Sequence, residues 1–233
     1  MSKMKSPASA LGEAVGHLVE EAVRKVITDI ITPYGLSMGV HRQKISDKVG
    51  IKFEIDIPIL EGNKIIALID VKYLRYKKHA RDKGSWVVVA HNRLKASYPE
   101  IKRRLVILVG PGWTEEAKRM ISTSCIDVIS VEPELLDSVL SEFGIRFTWD
   151  EKDMEIPRIS WENFQRLSSD DLERIKERII EKSEIKEKLM LWFKQHIFCE
   201  DPEEKLSLTY ICPEAEKTQK LDEFISGREQ DFP

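Results

Sequence analysis

Three ionisable side chains in one apolar stretch hold the chemistry of this chain. Residues 53–73 read FEIDIPIL, EGNK, IIALIDVKY, which sets Asp56, Asp70 and Lys72 among Ile, Leu and Val. Two carboxylates and an ammonium are costly to keep in such surroundings unless something binds between them. Hard carboxylate oxygens suit Mg²⁺, and a cation so held suits a phosphodiester.

A D-x-K string alone means little in a chain this charged. Asp150-Glu151-Lys152 also fits it, and Glu100-Ile101-Lys102, Glu116-Ala117-Lys118 and Glu184-Ile185-Lys186 fit the E-x-K form. Asp70-Val71-Lys72 differs because it ends the run Ile65, Ile66, Ala67, Leu68, Ile69, which reads as a buried strand. Side chains alternate along a strand, so Asp70 and Lys72 share a face. Asp56 joins that face when the hairpin loop has an odd number of residues. A three-residue loop of Gly62, Asn63 and Lys64 pairs Asp56 with Asp70. It also gathers Phe53, Ile55, Ile57 and Ile59 opposite Tyr73, Val71, Ile69 and Ala67 on an apolar face, whereas a two-residue loop mixes the faces. The expected metal ligands are thus Asp56, Asp70 and a backbone carbonyl near Val71. Lys72 is placed to position a water or neutralise charge developing on phosphate. The competing reading is a plain cross-strand ion pair.

The surrounding pattern supplies the scaffold. Leu11, Val15, Leu18, Ala22 and Val26 make one stripe of a helix over residues 8–31, stopped by Pro33-Tyr34-Gly35. After the hairpin, residues 86–94 read as a helix, although Val87-Val88-Val89 equally suits a strand. A strand over 104–109, a helix capped by Thr114, a strand over 126–131 and a helix over 133–143 follow. Strand, helix, strand implies a parallel crossover beside the hairpin: an α/β fold with a mixed β-sheet flanked by helices. Ser168 or Ser169 caps one long helix to about residue 198, with Leu172, Ile175, Ile179, Leu189 and Phe193 on its apolar face. The expected division is a core over 1–149 and a C-terminal helical appendage over 150–233, for dimerisation or DNA contact. The last thirty or so residues are acidic and proline-containing, which favours partial disorder.

Charge is unevenly spread, although the net charge of the 233 residues is only -3. Between Lys72 and Arg104 only Asp82 and Glu100 oppose a positive run. Arg75, Lys77, Lys78, Arg81, Lys83, His91, Asn92 and Arg93 are the expected DNA contacts, against the reading of a solvated loop. His79 joins this loop, Arg42, Lys44 and Lys48 form a second candidate, and Met38 is a conjectured wedge between base steps. No apolar run approaches the roughly 20 residues of a membrane span. The N-terminus lacks the apolar region of a signal peptide, so a cytoplasmic protein is expected. Cys125, Cys199 and Cys212 are too scattered for a zinc knuckle and are expected as reduced thiols.

Asp56, thirteen intervening residues, then Asp70-Val71-Lys72 resembles the PD-(D/E)xK signature of the restriction endonuclease-like nuclease superfamily. The element order over about residues 8–131 is similar to its core. The signature's proline usually precedes its aspartate, whereas here Ile55 does and Pro58 follows. The resemblance implies a restriction endonuclease-like core and a further acidic metal position within G-x-x-x-E on the leading helix. Gly16-His17-Leu18-Val19-Glu20 fits, giving Glu20, with Glu21 as runner-up. It implies a Mg²⁺-dependent endonuclease, foremost a type II restriction enzyme cutting a short double-stranded DNA site as a homodimer. A repair or Holliday-junction-resolving nuclease is the alternative within the family. A catalytically silent DNA-binding or assembly protein is the alternative outside it.

Overall fold

A computed structural model describes residues 6–150 and 152–198. Helix α1 (Pro7–Ile31) starts where the Ser6 hydroxyl accepts from the Ser9 N–H with Pro7 in the first turn, a donor-saving arrangement. Its Leu11, Val15, Leu18, Ala22 and Val26 stripe is buried as expected. The strands are β1 (Ser37–Met38), β2 (Gln43–Ser46), β3 (Lys52–Ile55), β4 (Ile57–Glu61), β5 (Lys64–Tyr73), β6 (Arg103–Val109) and β7 (Asp127–Val131). Between and after them run α2 (Ala80–Ser97), α3 (Glu115–Ser122) and α4 (Pro133–Ser141). The main sheet has the order β1-β4-β5-β6-β7, antiparallel from β1 to β5 and parallel from β5 to β7. It is the expected mixed sheet with helices on both faces. Residues 86–94 are helical, so the valine triplet follows the helix that crosses from β5 to β6.

Strand alternation divides the core. Leu105, Ile107 and Val109 of β6 join α1 in the largest apolar cluster, while Val106 and Leu108 face α2 and α3. Because both faces are covered, β5 and β6 are apolar almost throughout.

The hairpin differs from expectation at its tip. Glu61 pairs with Lys64, so the loop is the two residues Gly62-Asn63, with Gly62 at a left-handed φ of 58°. Further down, Ile59 pairs with Ala67 but Leu60 pairs with Ile65. Ile66 is therefore an extra residue, a β-bulge, and it restores the parity that a two-residue loop removes. Ile57 pairs with Ile69, so the expected register holds next to the aspartates. The expected apolar face does not hold as one face. The chain leaves the main sheet at Asp56, and β3 pairs instead with β2 in a two-stranded ribbon. Phe53 and Ile55 consequently pack with Leu68, Ala90 and Leu94 beneath α2, apart from Ile57 and Ile59. Met38 pairs with Ile59 and packs on the main cluster, so it is not a projecting wedge.

The single long helix expected near the C-terminus is broken. Ser168 and Asp171 form a reciprocal capping box for α6 (Ser169–Ser183), after α5 (Glu155–Phe164), which the sequence pattern missed. Glu184, at a left-handed φ of 53°, separates α6 from α7 (Ile185–Phe193). Ile175, Ile179, Leu189 and Phe193 are fully buried in the cluster that holds α1 and the sheet. That apolar face packs within the chain. Cys125 is disulfide-bonded, not a reduced thiol. Cys199, Cys212 and the acidic final thirty residues lie outside the described residues. Among the described residues no helix is long and apolar enough to cross a membrane.

Candidate metal centre

Asp56 sits where β4 pairing with β5 stops, one step beyond the Ile57–Ile69 pair. Its main chain is pinned from two sides. The Asp56 N–H donates to Asp70 Oδ1 at 3.0 Å, and Arg24 Nη1 donates to the Asp56 carbonyl at 2.9 Å. In return, Asp56 Oδ2 accepts from the Val71 N–H at 2.9 Å. A strand residue presents its N–H and C=O to the same edge, so the Val71 carbonyl also faces the Asp56 side. Lys72 Nζ bridges the carboxylates, 2.8 Å from Asp56 Oδ2 and 3.1 Å from Asp70 Oδ1. The three expected residues are brought together, and a cation is already held between the two acids.

Burial sets the electrostatics. Asp56 and Asp70 are 5% and 2% exposed. Burial and the neighbouring Asp70 charge push the Asp56 carboxyl up to about 6, against the pull of Lys72. Burial also acts on Asp70, but Lys72 and a hydrogen bond from His91 outweigh it and hold that carboxyl well below its usual range. Burial would lower Lys72, yet the two aspartates keep its ammonium well above the ordinary lysine range. One acid is thus firmly ionised and its neighbour is poised near neutrality.

Asp56 opens onto a pocket of about 790 Å³, and Asp70 is buried behind it. Asp56, Val71 and Lys72 line one side, with Glu13, His17 and Glu20 of α1 and Arg42 among the other lining residues. Lys83 also lines it; burial and then the Lys72 charge draw its ammonium below the usual range. Glu20 reaches this pocket, but the contacts of its carboxylate are to His17, His41 and Arg42. Glu21 instead pairs with His17 and Lys176. Tyr73 explains the glycine four residues before Glu20: a Cβ on Gly16 would lie 2.8 Å from the Tyr73 Cβ, so the close passage of α1 over β5 requires glycine there.

The chain matches no protein-family model and no curated protein. Its side chains therefore bear the whole functional reading, and those expected to touch DNA are sorted by their partners. His91 is fully buried and donates to Asp70 Oδ2 at 3.0 Å, so it stands behind the acid and not on the surface. Arg75 bonds the carbonyls of Phe147 and Trp149 and stacks on the Trp149 ring, tying down the 147–149 segment. Arg93 pairs with Asp47 at 2.6 Å, and the exposed Asn92 has its Oδ1 held by Arg104. Arg81 pairs with Glu116 at the surface. Lys77, Lys78 and His79 project from an exposed turn just before α2. Lys44 and Lys48 are exposed as well, whereas Arg42 turns to the pocket.

Glu13, His17, His41, Glu54 and Trp161 were not singled out from sequence. The first two show a readable signal, helical spacing with Glu20 on one side of α1. His41 and Trp161 carry none, because a turn and a missed helix deliver them.

Proposed function

We propose that this protein is a Mg²⁺-dependent phosphodiester hydrolase acting on double-stranded DNA, with a restriction endonuclease-like core. One observation bears most of the weight: a half-buried ammonium bridges two buried carboxylates across the hairpin beside an open pocket. The residues fit a hard divalent cation. Lys72 stands in for its charge, and Asp56, Asp70 and the Val71 carbonyl offer three oxygens on one edge.

Asp56, Asp70 and Val71 would hold the metal, which supplies a Lewis acid to the scissile phosphate and its attacking water. Lys72, released from its bridging position, keeps a positive charge at the pocket edge to stabilise the charge that develops on phosphate. Lys83 and Arg42 add positive charge for the incoming backbone. His91 fixes the carboxylate plane of Asp70 from below. Lys77 and Lys78 extend the basic surface beyond the pocket. A sequence-specific enzyme of this class, a type II restriction enzyme, would meet a two-fold DNA site as a homodimer in the cytoplasm. A junction-resolving or repair nuclease uses the same centre with a different substrate shape.

Incubation with Mg²⁺ and a set of plasmids and branched DNAs tests the reading. Discrete bands support restriction, branched-substrate cleavage supports resolution, and the absence of any cleavage above an Asp70→Asn preparation overturns the hydrolase proposal.

A further inference from the structure

The pocket that Asp56 lines is also lined by His17 and Glu20, which with His41 make a second cluster of different donor chemistry. His17 and Glu20 are three apart on α1 and share a face, and the β1–β2 turn lowers His41 onto them. His41 Nε2 meets Glu20 Oε1, His17 Nδ1 lies 3.9 Å from Glu20 Oε2, and the two imidazoles stand 5.9 Å apart at 25°. One donor atom from each residue falls within 4.8 Å of the others. Glu20 is held at 3% exposure, so its carboxylate is buried while both rings stand at the surface.

We propose that His17, Glu20 and His41 form a site for a borderline divalent cation, Zn²⁺ or Co²⁺, separate from the Mg²⁺ site. Two imidazole nitrogens and one carboxylate oxygen, with a position left toward the pocket, are the donor set of an open zinc centre. Hard Mg²⁺ favours all-oxygen surroundings, so donor type sorts the two ions between the two sites. Bonds of about 2.0–2.1 Å place tetrahedral ligands about 3.3 Å apart, a spacing that lies inside the 4.8 Å spanned by the three donors here. His17 and His41 side chains are 49% and 39% exposed, which leaves both rings room to turn about an ion. Arg42 Nη2, 3.5 Å from Glu20 Oε2, occupies the second oxygen and leaves Oε1 for monodentate ligation. Arg42 adopts a left-handed φ of 52°, a strained backbone that sets His41 beside it over Glu20. The bound ion would join the turn at 41–42 to α1 beside the pocket mouth.

The site does not depend on the hydrolase reading, and its test has its own readout. Untagged full-length protein is titrated with Co²⁺, and then with Zn²⁺ in competition with a chromophoric chelator. One Co²⁺ per chain should bind, giving visible ligand-field bands without the near-ultraviolet charge transfer of a thiolate ligand. His17→Gln and His41→Gln, both at exposed positions, should each weaken binding by at least the roughly 10–100-fold seen when outer-sphere partners are lost. Asp70→Asn should leave Co²⁺ affinity unchanged while removing any Mg²⁺-dependent cleavage. Equal Co²⁺ affinity in the wild type and the histidine variants would overturn the proposal. So would loss of Co²⁺ binding in Asp70→Asn, because the protein would then hold one metal site and not two.

Discussion

Asp70 Oδ1 accepts the main-chain N–H of Asp56, the residue that faces it across the hairpin. The carboxylate of one strand thereby fixes the point where the other strand departs for a different sheet. Asp70 is a structural acceptor as well as a proposed ligand, and its substitution must separate the two roles. Asp70→Asn keeps an oxygen for the Asp56 N–H and is expected to melt within a few degrees of wild type. Mg²⁺-dependent cleavage should vanish while DNA binding in Ca²⁺ persists, as gel-shift and digest measure. Asp70→Ala should add a loss of about 1–3 kcal/mol for the orphaned donors. Cleavage retained by either variant would remove Asp70 from the centre.

Lys72 neutralises two buried acids. Removing one member of such a set leaves uncompensated charge, at a cost of about 3–5 kcal/mol. Lys72→Ala is expected to lower the melting temperature strongly without metal and to recover much of it in Mg²⁺, which replaces the missing charge. Turnover should fall far more than DNA affinity. A variant weakened only in affinity would assign Lys72 to binding.

Asp56 titrates near 6 in the folded chain, above the 3.8 of a free carboxyl. A raised folded value means the native state binds that proton more tightly, so the stabilisation is present at low pH and is lost as pH rises through about 6. In metal-free protein, Asp56→Asn should therefore be more stable than wild type at pH near 8, by up to about 3 kcal/mol. The difference should shrink toward pH 5. Mg²⁺ binds the ionised form, so cleavage should decline as pH falls below about 6. A stability difference independent of pH, measured by paired denaturant melts, would contradict this.

The pairs below the bulge at Ile66 decide which way Asp70 points. Deleting Ile66 removes only the extra residue, so the Ile59–Ala67 and Ile57–Ile69 pairs and the facing of Asp70 and Lys72 should persist. Deleting Leu68 should instead shift the rest of β5 by one residue and turn Asp70 and Lys72 to the face now held by Val71, with cleavage and Mg²⁺ binding both lost. Inserting one glycine after Asn63, in the exposed turn, should leave both nearly intact. Equal damage from the Leu68 deletion and the turn insertion would show that strand register does not place the site.

Gly12 and Gly16 let α1 approach Tyr73, since a Cβ at Gly12 would lie 2.5 Å from the Tyr73 ring. Gly12→Ala and Gly16→Ala should each cost about 1–3 kcal/mol through overpacking. Tyr73→Leu in the same chain should relieve part of that cost, which a double-mutant cycle reads directly.

Much of the scaffold was legible in sequence because local periodicity reports local burial. The stripe of α1, the apolar run of β5 and the strand-helix-strand order each follow from residues a few positions apart. The adjacency of Asp56, Asp70 and Lys72 was legible too, since a hairpin is a local structure and hydrophobic alternation constrains its register. Loop length was read wrongly because a turn and a bulge change parity in the same way, and alternation sees only their sum. The break at Glu184 has no marker in composition, for it is a single left-handed residue inside a helical pattern.

Contacts over long separations were decided by the tertiary structure alone. His91 has the same composition signal as an exposed base, yet the crossover that seats α2 on β5 buries it against Asp70. Arg75 and Arg93 look like phosphate contacts until the fold gives them Trp149 and Asp47. His17, Glu20 and His41 converge only because a turn after α1 folds back over it. Sequence by itself determined which elements form and the acid-acid-ammonium chemistry of the hairpin, because those depend on neighbours along the chain. Which charges face solvent, which face one another and where the pocket opens depend on packing between distant elements, which no local pattern encodes.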